Sequence, residues 1–97
     1  MLTTKQRAYL KSMASTMEPI FQVGKSGAAP ELVQALDDAL EKRELIKLNV
    51  LNNCFEDIRT LAEMISSRTH SEVVQIIGHR IVLYRPSKKP HIELPKP

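Results

Sequence analysis

A chain of 97 residues makes one domain, long enough to withdraw roughly two-thirds of its unfolded surface from water. Its 42% hydrophobic content, with two Tyr, two Phe and no Trp, excludes a disordered chain and predicts an aliphatic core. A net charge of +3 and a pI near 9.2 favour a polyanionic partner, and the single Cys54 excludes both an intramolecular disulfide and a cysteine-rich zinc site.

Thr3 followed by Gln6 matches a capping box, and Tyr9, Leu10, Met13 and Met17 continue at helical spacing, so a first helix is expected over Thr4 to Ser15. Pro19 blocks its continuation. Ile20, Phe21 and Val23 then read as a short strand that ends at Gly24. After the loop Gly24-Lys25-Ser26-Gly27, Pro30 suits a first helical turn, and Leu32, Val33, Leu36, Ala39 and Leu40 stripe a second helix as far as Arg43. From Leu45 to Leu51 the period-two pattern puts Ile46, Leu48 and Val50 on one face and Lys47 and Asn49 on the other, as in a half-buried strand. Asn53 with Glu56 offers a second capping box, ahead of a third helix in which Phe55, Ile58, Leu61, Ala62 and Ile65 form the apolar stripe. Val73 to Ile77 and Arg80 to Arg85 are β-branched runs separated by Gly78-His79, which suits a type II′ hairpin.

This order predicts an α/β fold of the α+β two-layer kind, αβαβαββ, with a mixed four-stranded sheet packed against helices. Ile81 to Tyr84, apolar on both faces, is the expected central strand. Residues 1–86 form the domain. Residues 87–97 hold most of PSKKPHIELPKP, a segment carrying four of the six prolines, and are expected to run extended, as a basic tail leaving the compact domain. No signal-peptide pattern occurs, nor an apolar run approaching about 18 residues, so a soluble cytoplasmic protein that does not enter membranes is expected, with monomer as the default state.

Positive charge collects at both ends of the chain: Lys5, Arg7 and Lys11 on the first helix, and Arg80, Arg85, Lys88 and Lys89 around the last strand. These residues are candidates for gripping phosphates. A Gly-x-x-Gly loop running into a helix lets a nucleic-acid backbone approach, because two residues without Cβ clear the path and Lys25 adds a point charge. The second helix begins Ala28-Ala29-Pro30, with no Ser, Thr, Asp or Asn to cap its first amides. The loop lacks the longer spacing of a nucleotide-binding P-loop, which removes ATP hydrolysis. Phe21, Phe55 and Tyr84 lie in apolar patterns and are assigned to the core, leaving no aromatic platform for base stacking.

The stretches EPIFQVGKSGAAPELVQALDDALEKRELIKLNVL and VVQIIGHRIVLYRPSKKPHIELP resemble the bacterial YhbY-like proteins, stand-alone members of the CRM (chloroplast RNA splicing and ribosome maturation) domain family. VGKSG, ELIKL and IGHRIVLYRPSK are the most specific parts. The resemblance implies a fold similar to the C-terminal domain of translation initiation factor three, with the last strand inserted in the sheet. It also implies RNA binding at Gly24, Lys25, Ser26 and Gly27, extended by the flanking basic residues, and association with rRNA of precursor large ribosomal subunits. Ala28-Ala29 departs from the more polar residue often found there in relatives.

His70, His79 and His91 have no ligand-spaced partners, Cys54 has no neighbouring base, and Asp37 and Asp38 point about a hundred degrees apart on a helix. Neither a metal site, a cofactor nor an enzyme is expected. The competing reading is a protein-protein adaptor that uses the apolar, proline-rich C-terminal end.

Overall fold

A computed structural model of the protein describes residues 2–97. Helix α1 (Thr4–Ala14) starts at the expected capping box: Thr3 Oγ1 accepts from the Gln6 amide at 3.1 Å while Gln6 Oε1 accepts from the Thr3 amide at 3.1 Å. Strand β1 (Phe21–Val23), helix α2 (Pro30–Arg43), strand β2 (Leu45–Val50), helix α3 (Ile58–Thr69) and strands β3 (Glu72–Ile77) and β4 (Arg80–Tyr84) follow. The sheet order is β1-β2-β4-β3, so β4 is inserted between β2 and β3 as expected. Among the described residues only β1 and β2 pair in parallel. The β3–β4 connection is the two-residue Gly78-His79 turn: Gly78 has φ 56°, and among the described residues only Glu44 and His70 take positive φ without being glycine. These φ signs are those of a type II′ turn.

Helices lie on both faces of the sheet, which adds a third layer to the two-layer arrangement expected. Leu36 and Leu40 of α2 and Leu61, Ala62 and Ile65 of α3 pack on Ile46, Leu48, Val50, Ile81 and Leu83. On the opposite face Leu10 and Ala14 of α1 pack on Leu45, Val74, Val82 and Tyr84. Strand β2 is therefore an interior strand, and the half-buried reading is corrected at Lys47, while Asn49 stays part-exposed. Lys47 is 8% exposed. Its Nζ donates to the carbonyl of Ala14, the last residue of α1, at 3.0 Å and to that of Met17, just beyond the helix, at 3.2 Å. Alternation of polarity identified the strand, but it cannot show that a lysine covers a helix end.

Two further expectations are corrected here. The cap of α3 is Asp57, whose Oδ2 accepts from the Thr60 amide at 3.2 Å; Asn53 and Glu56 stay in the preceding loop. The C-terminal segment, although free of helix and strand, returns to the domain. Buried Glu44, at the end of α2, accepts from the amides of Ser87 at 2.8 Å, His91 at 2.9 Å and Ile92 at 2.8 Å, and His91 Nδ1 lies 3.2 Å from the same carboxylate. Burial alone raises this carboxyl, but the three amides and the His91 charge outweigh it, and the net shift is downward. Ile92 and Leu94 then pack against the α1 cluster, and Gln6 Nε2 donates to the Pro95 carbonyl at 3.1 Å. The apolar side chains that an adaptor would offer to a partner are thus engaged by their own domain. Burial, followed by the nearby Glu44 charge, pushes the Tyr84 phenol up, as suits a core residue.

Candidate nucleic-acid interface

Parallel pairing sends β1 and β2 out of the sheet at the same end, and antiparallel β4 enters there. Three connections therefore meet: the loop from Gly24 to Ala29, the loop from Leu51 to Asp57, and the hairpin tip at Gly78-His79. In open α/β sheets, ligands collect at the carboxyl ends of the parallel strands for this topological reason.

The loop's shape is set by internal contacts. The Gly27 amide donates to the Gly24 carbonyl at 3.0 Å, closing a turn over Lys25 and Ser26. Gly27 sits at φ 57°, where an L side chain is strained, yet a Cβ there would meet nothing within 4 Å. A Cβ on Gly24 would come within 3.2 Å of Asn53 Oδ1. Within the protein, Gly27 thus answers to backbone conformation and Gly24 to a neighbouring loop. Arg68, near the end of α3, donates from Nη1 to the Ala28 carbonyl at 2.7 Å and ties the loop's exit to α3. As expected from Ala28-Ala29, no side chain among the described residues caps the first turn of α2, which opens with Pro30.

Lys25 and Ser26 are exposed at the tip. Among the described residues no acid pairs with Lys25. Arg80 stands exposed at the same end of the sheet, its Nε 3.3 Å from Asn49 Oδ1. The other candidates lie elsewhere. Arg7 is held by the Val73 and Val74 carbonyls, where the β3 ladder is irregular, and lies 3.7 Å from Glu72. Arg85 is 16% exposed and donates to Asp37 Oδ1 at 2.5 Å, to the Thr69 carbonyl at 2.8 Å and to the Asp37 carbonyl at 3.0 Å, with Glu41 3.7 Å away. Both arginines are structural, joining elements of the fold. Lys88 and Lys89 are exposed beyond Arg85, at the opposite end of β2 from the loop, a separation of about 17 Å for six residues of strand. Lys5 and Lys11 are exposed on α1, across the sheet from α2 and α3.

Phe55 is 88% exposed, against its expected place in the core. Because α3 is capped by Asp57, Phe55 precedes the helix and falls outside its apolar stripe. It lines one cleft with Lys25, Ser26 and Gly27, and its chain neighbour Cys54 packs half-buried against the core. The sequence signal for this was Asp57 followed by Thr60, a cap nearer the stripe than Asn53. Phe21 is half-buried against the larger core and Tyr84 is buried, as expected.

The CRS1 / YhbY (CRM) domain model matches residues 2–85. The chain belongs to this family. It is 49% identical over 96 residues to the Probable RNA-binding protein YqeI of Bacillus subtilis (strain 168), covering 98% of this chain and 100% of that one. It is 36% identical over 95 residues to an RNA-binding protein of Haemophilus influenzae, covering 98% of this chain and 96% of that one. The solution structure of a hypothetical protein of Staphylococcus aureus, described as a candidate RNA-binding protein, superposes with a TM-score of 0.83 at 53% identity, covering 98% of this CRM chain and 100% of that one. Among the described residues no group of three or more His, Cys, Asp and Glu could hold a metal ion, and no helix is long and apolar enough to cross a membrane.

Proposed function

We propose that this protein binds RNA through the Gly24–Gly27 loop and the end of the sheet around it, and that it docks on rRNA of precursor large ribosomal subunits as an assembly factor. It works as a cytoplasmic monomer that holds an RNA conformation, without covalent chemistry. The observation that carries the reading is Lys25: it is an exposed cation without an acidic partner among the described residues, on a loop whose shape is fixed by the Gly24–Gly27 turn and by Arg68. A charge presented in this way is available for phosphate, whereas Arg7 and Arg85 are already engaged. The names of the relatives point the same way.

The test sediments the parent protein and a Lys25→Glu variant through a gradient of ribosomal particles at low salt. The parent is expected with precursor large subunits and the variant at the top. Parent protein remaining at the top would remove ribosomal docking. RNA binding itself is read from salt dependence: Lys25→Ala should reduce the slope of log affinity against log salt by about one.

A further inference from the structure

The cleft beside the loop has two chemically different walls. Lys25, Ser26 and Gly27 form a cationic and polar wall, while Phe55 and Glu56 from the loop before α3 line the same cleft and Met64 of α3 adds a half-buried apolar contribution. Phe55 is 88% exposed, although burying a phenylalanine is worth about 1.5–3 kcal/mol to a fold. Glu56 repels a phosphate on its side of the cleft, so a polyanionic chain is directed to Lys25. What suits the Phe55 side is flat, apolar on its faces and connected to a phosphate by a short link.

We propose that this cleft takes one unpaired nucleotide of RNA, with its phosphate on the Lys25 wall and its base stacked on the Phe55 ring. The inference rests on the RNA-binding reading above and narrows it to single-stranded or looped-out RNA at this position. A base held within a continuous helix has both faces covered by its neighbours and cannot offer one to Phe55. Stacking makes the contact tolerant of sequence, because every base has a π-face.

The test compares an unstructured twelve-nucleotide adenosine RNA with a twelve-base-pair RNA duplex, each titrated with the full chain and read by fluorescence anisotropy at one salt concentration. Phe55→Ala should weaken binding of the single strand by about 5- to 150-fold, the range for one base–aromatic stack, and leave the duplex within about twofold. Lys25→Ala should weaken both. The chain has no Trp, so Phe55→Trp supplies a single indole whose emission should be quenched when the single strand binds. Since Phe55 is exposed, both Phe55 variants should keep the parent melting curve. Single-strand affinity unchanged in Phe55→Ala, or lost equally for strand and duplex, would overturn the stacking site while RNA binding stands if Lys25→Ala still weakens it. Failure of the parent to bind either RNA at low salt would overturn both readings.

Discussion

Replacing Glu44 by alanine removes the acceptor from which the C-terminal segment hangs. Three backbone amides, those of Ser87, His91 and Ile92, donate to its carboxylate at 2.8–2.9 Å, and a hydrogen bond to a charged group is worth about 1.5–3 kcal/mol. Simple addition overstates the loss, because His91 is exposed and Ser87 and Ile92 only half-buried, so the released segment can peel away and hydrate. The ceiling is then the docking energy of the segment, including the contacts of Ile92 and Leu94 with the α1 cluster. We expect Glu44→Ala to lose about 2–4 kcal/mol, or about 10–25 °C in Tm for a domain of this size. A second variant sharpens the test. Glu44 sits at φ 66°, ψ −41°, an unfavourable region for a residue with a Cβ, so Glu44→Gly should be about 1 kcal/mol more stable than Glu44→Ala. Urea unfolding of the three proteins, with hydrogen exchange at the His91 and Ile92 amides, measures both effects. Unchanged stability in Glu44→Ala with full protection at those amides would refute the reasoning. The pH dependence has a definite sign. The folded-state pKa lies below the ordinary 4.5, so the Glu44 contribution is fully present above about pH 4.5 and is lost as pH falls through the folded value. In Glu44→Gln that acid sensitivity of the segment should disappear.

Gly27→Ala should cost about 1–2 kcal/mol in thermal unfolding purely through φ, since its Cβ meets nothing within 4 Å, and Gly27→Asn should cost less. Lys47→Met, which keeps the apolar stem but removes the Nζ donor shared by the Ala14 and Met17 carbonyls, should destabilise by about 1–3 kcal/mol in urea melts; a neutral result would mean that relief of lysine burial balances the lost bonds. Asp57→Ala should lose about 0.5–2 kcal/mol as the true cap of α3, while Asn53→Ala changes stability by less than about 0.5 kcal/mol; the reverse order by circular dichroism melting would reinstate Asn53 as the cap.

Local chemistry was readable in the sequence wherever the decisive partners were near in the chain. The Thr3–Gln6 box, Pro30 at the start of α2, the Gly78-His79 turn and an unbroken apolar run in β4 each state their structure within a few residues, and together they give the element order and the inserted strand. The Gly24–Gly27 loop and its lysine were legible for the same reason. What failed depended on groups far apart. Arg7 and Arg85 read as free cations because their partners lie 66 residues away at Val73 and 48 residues away at Asp37. Phe55 read as core because moving one helix cap by four residues turns an apolar position outward.

From the sequence alone follow an aliphatic domain, its seven elements in order, and a lysine raised on a glycine loop between a strand and a helix, because propensity, turn chemistry and periodicity act over short spans. Only the tertiary structure decided that α1 covers the second face of the sheet, that Lys47 and Glu44 are buried as donor and acceptor bridges respectively, and that Phe55 shares a cleft with Lys25. These are matters of which surfaces meet. A buried charge is tolerable only where distant backbone groups converge on it, and an aromatic ring is core or platform according to what the rest of the chain places over it.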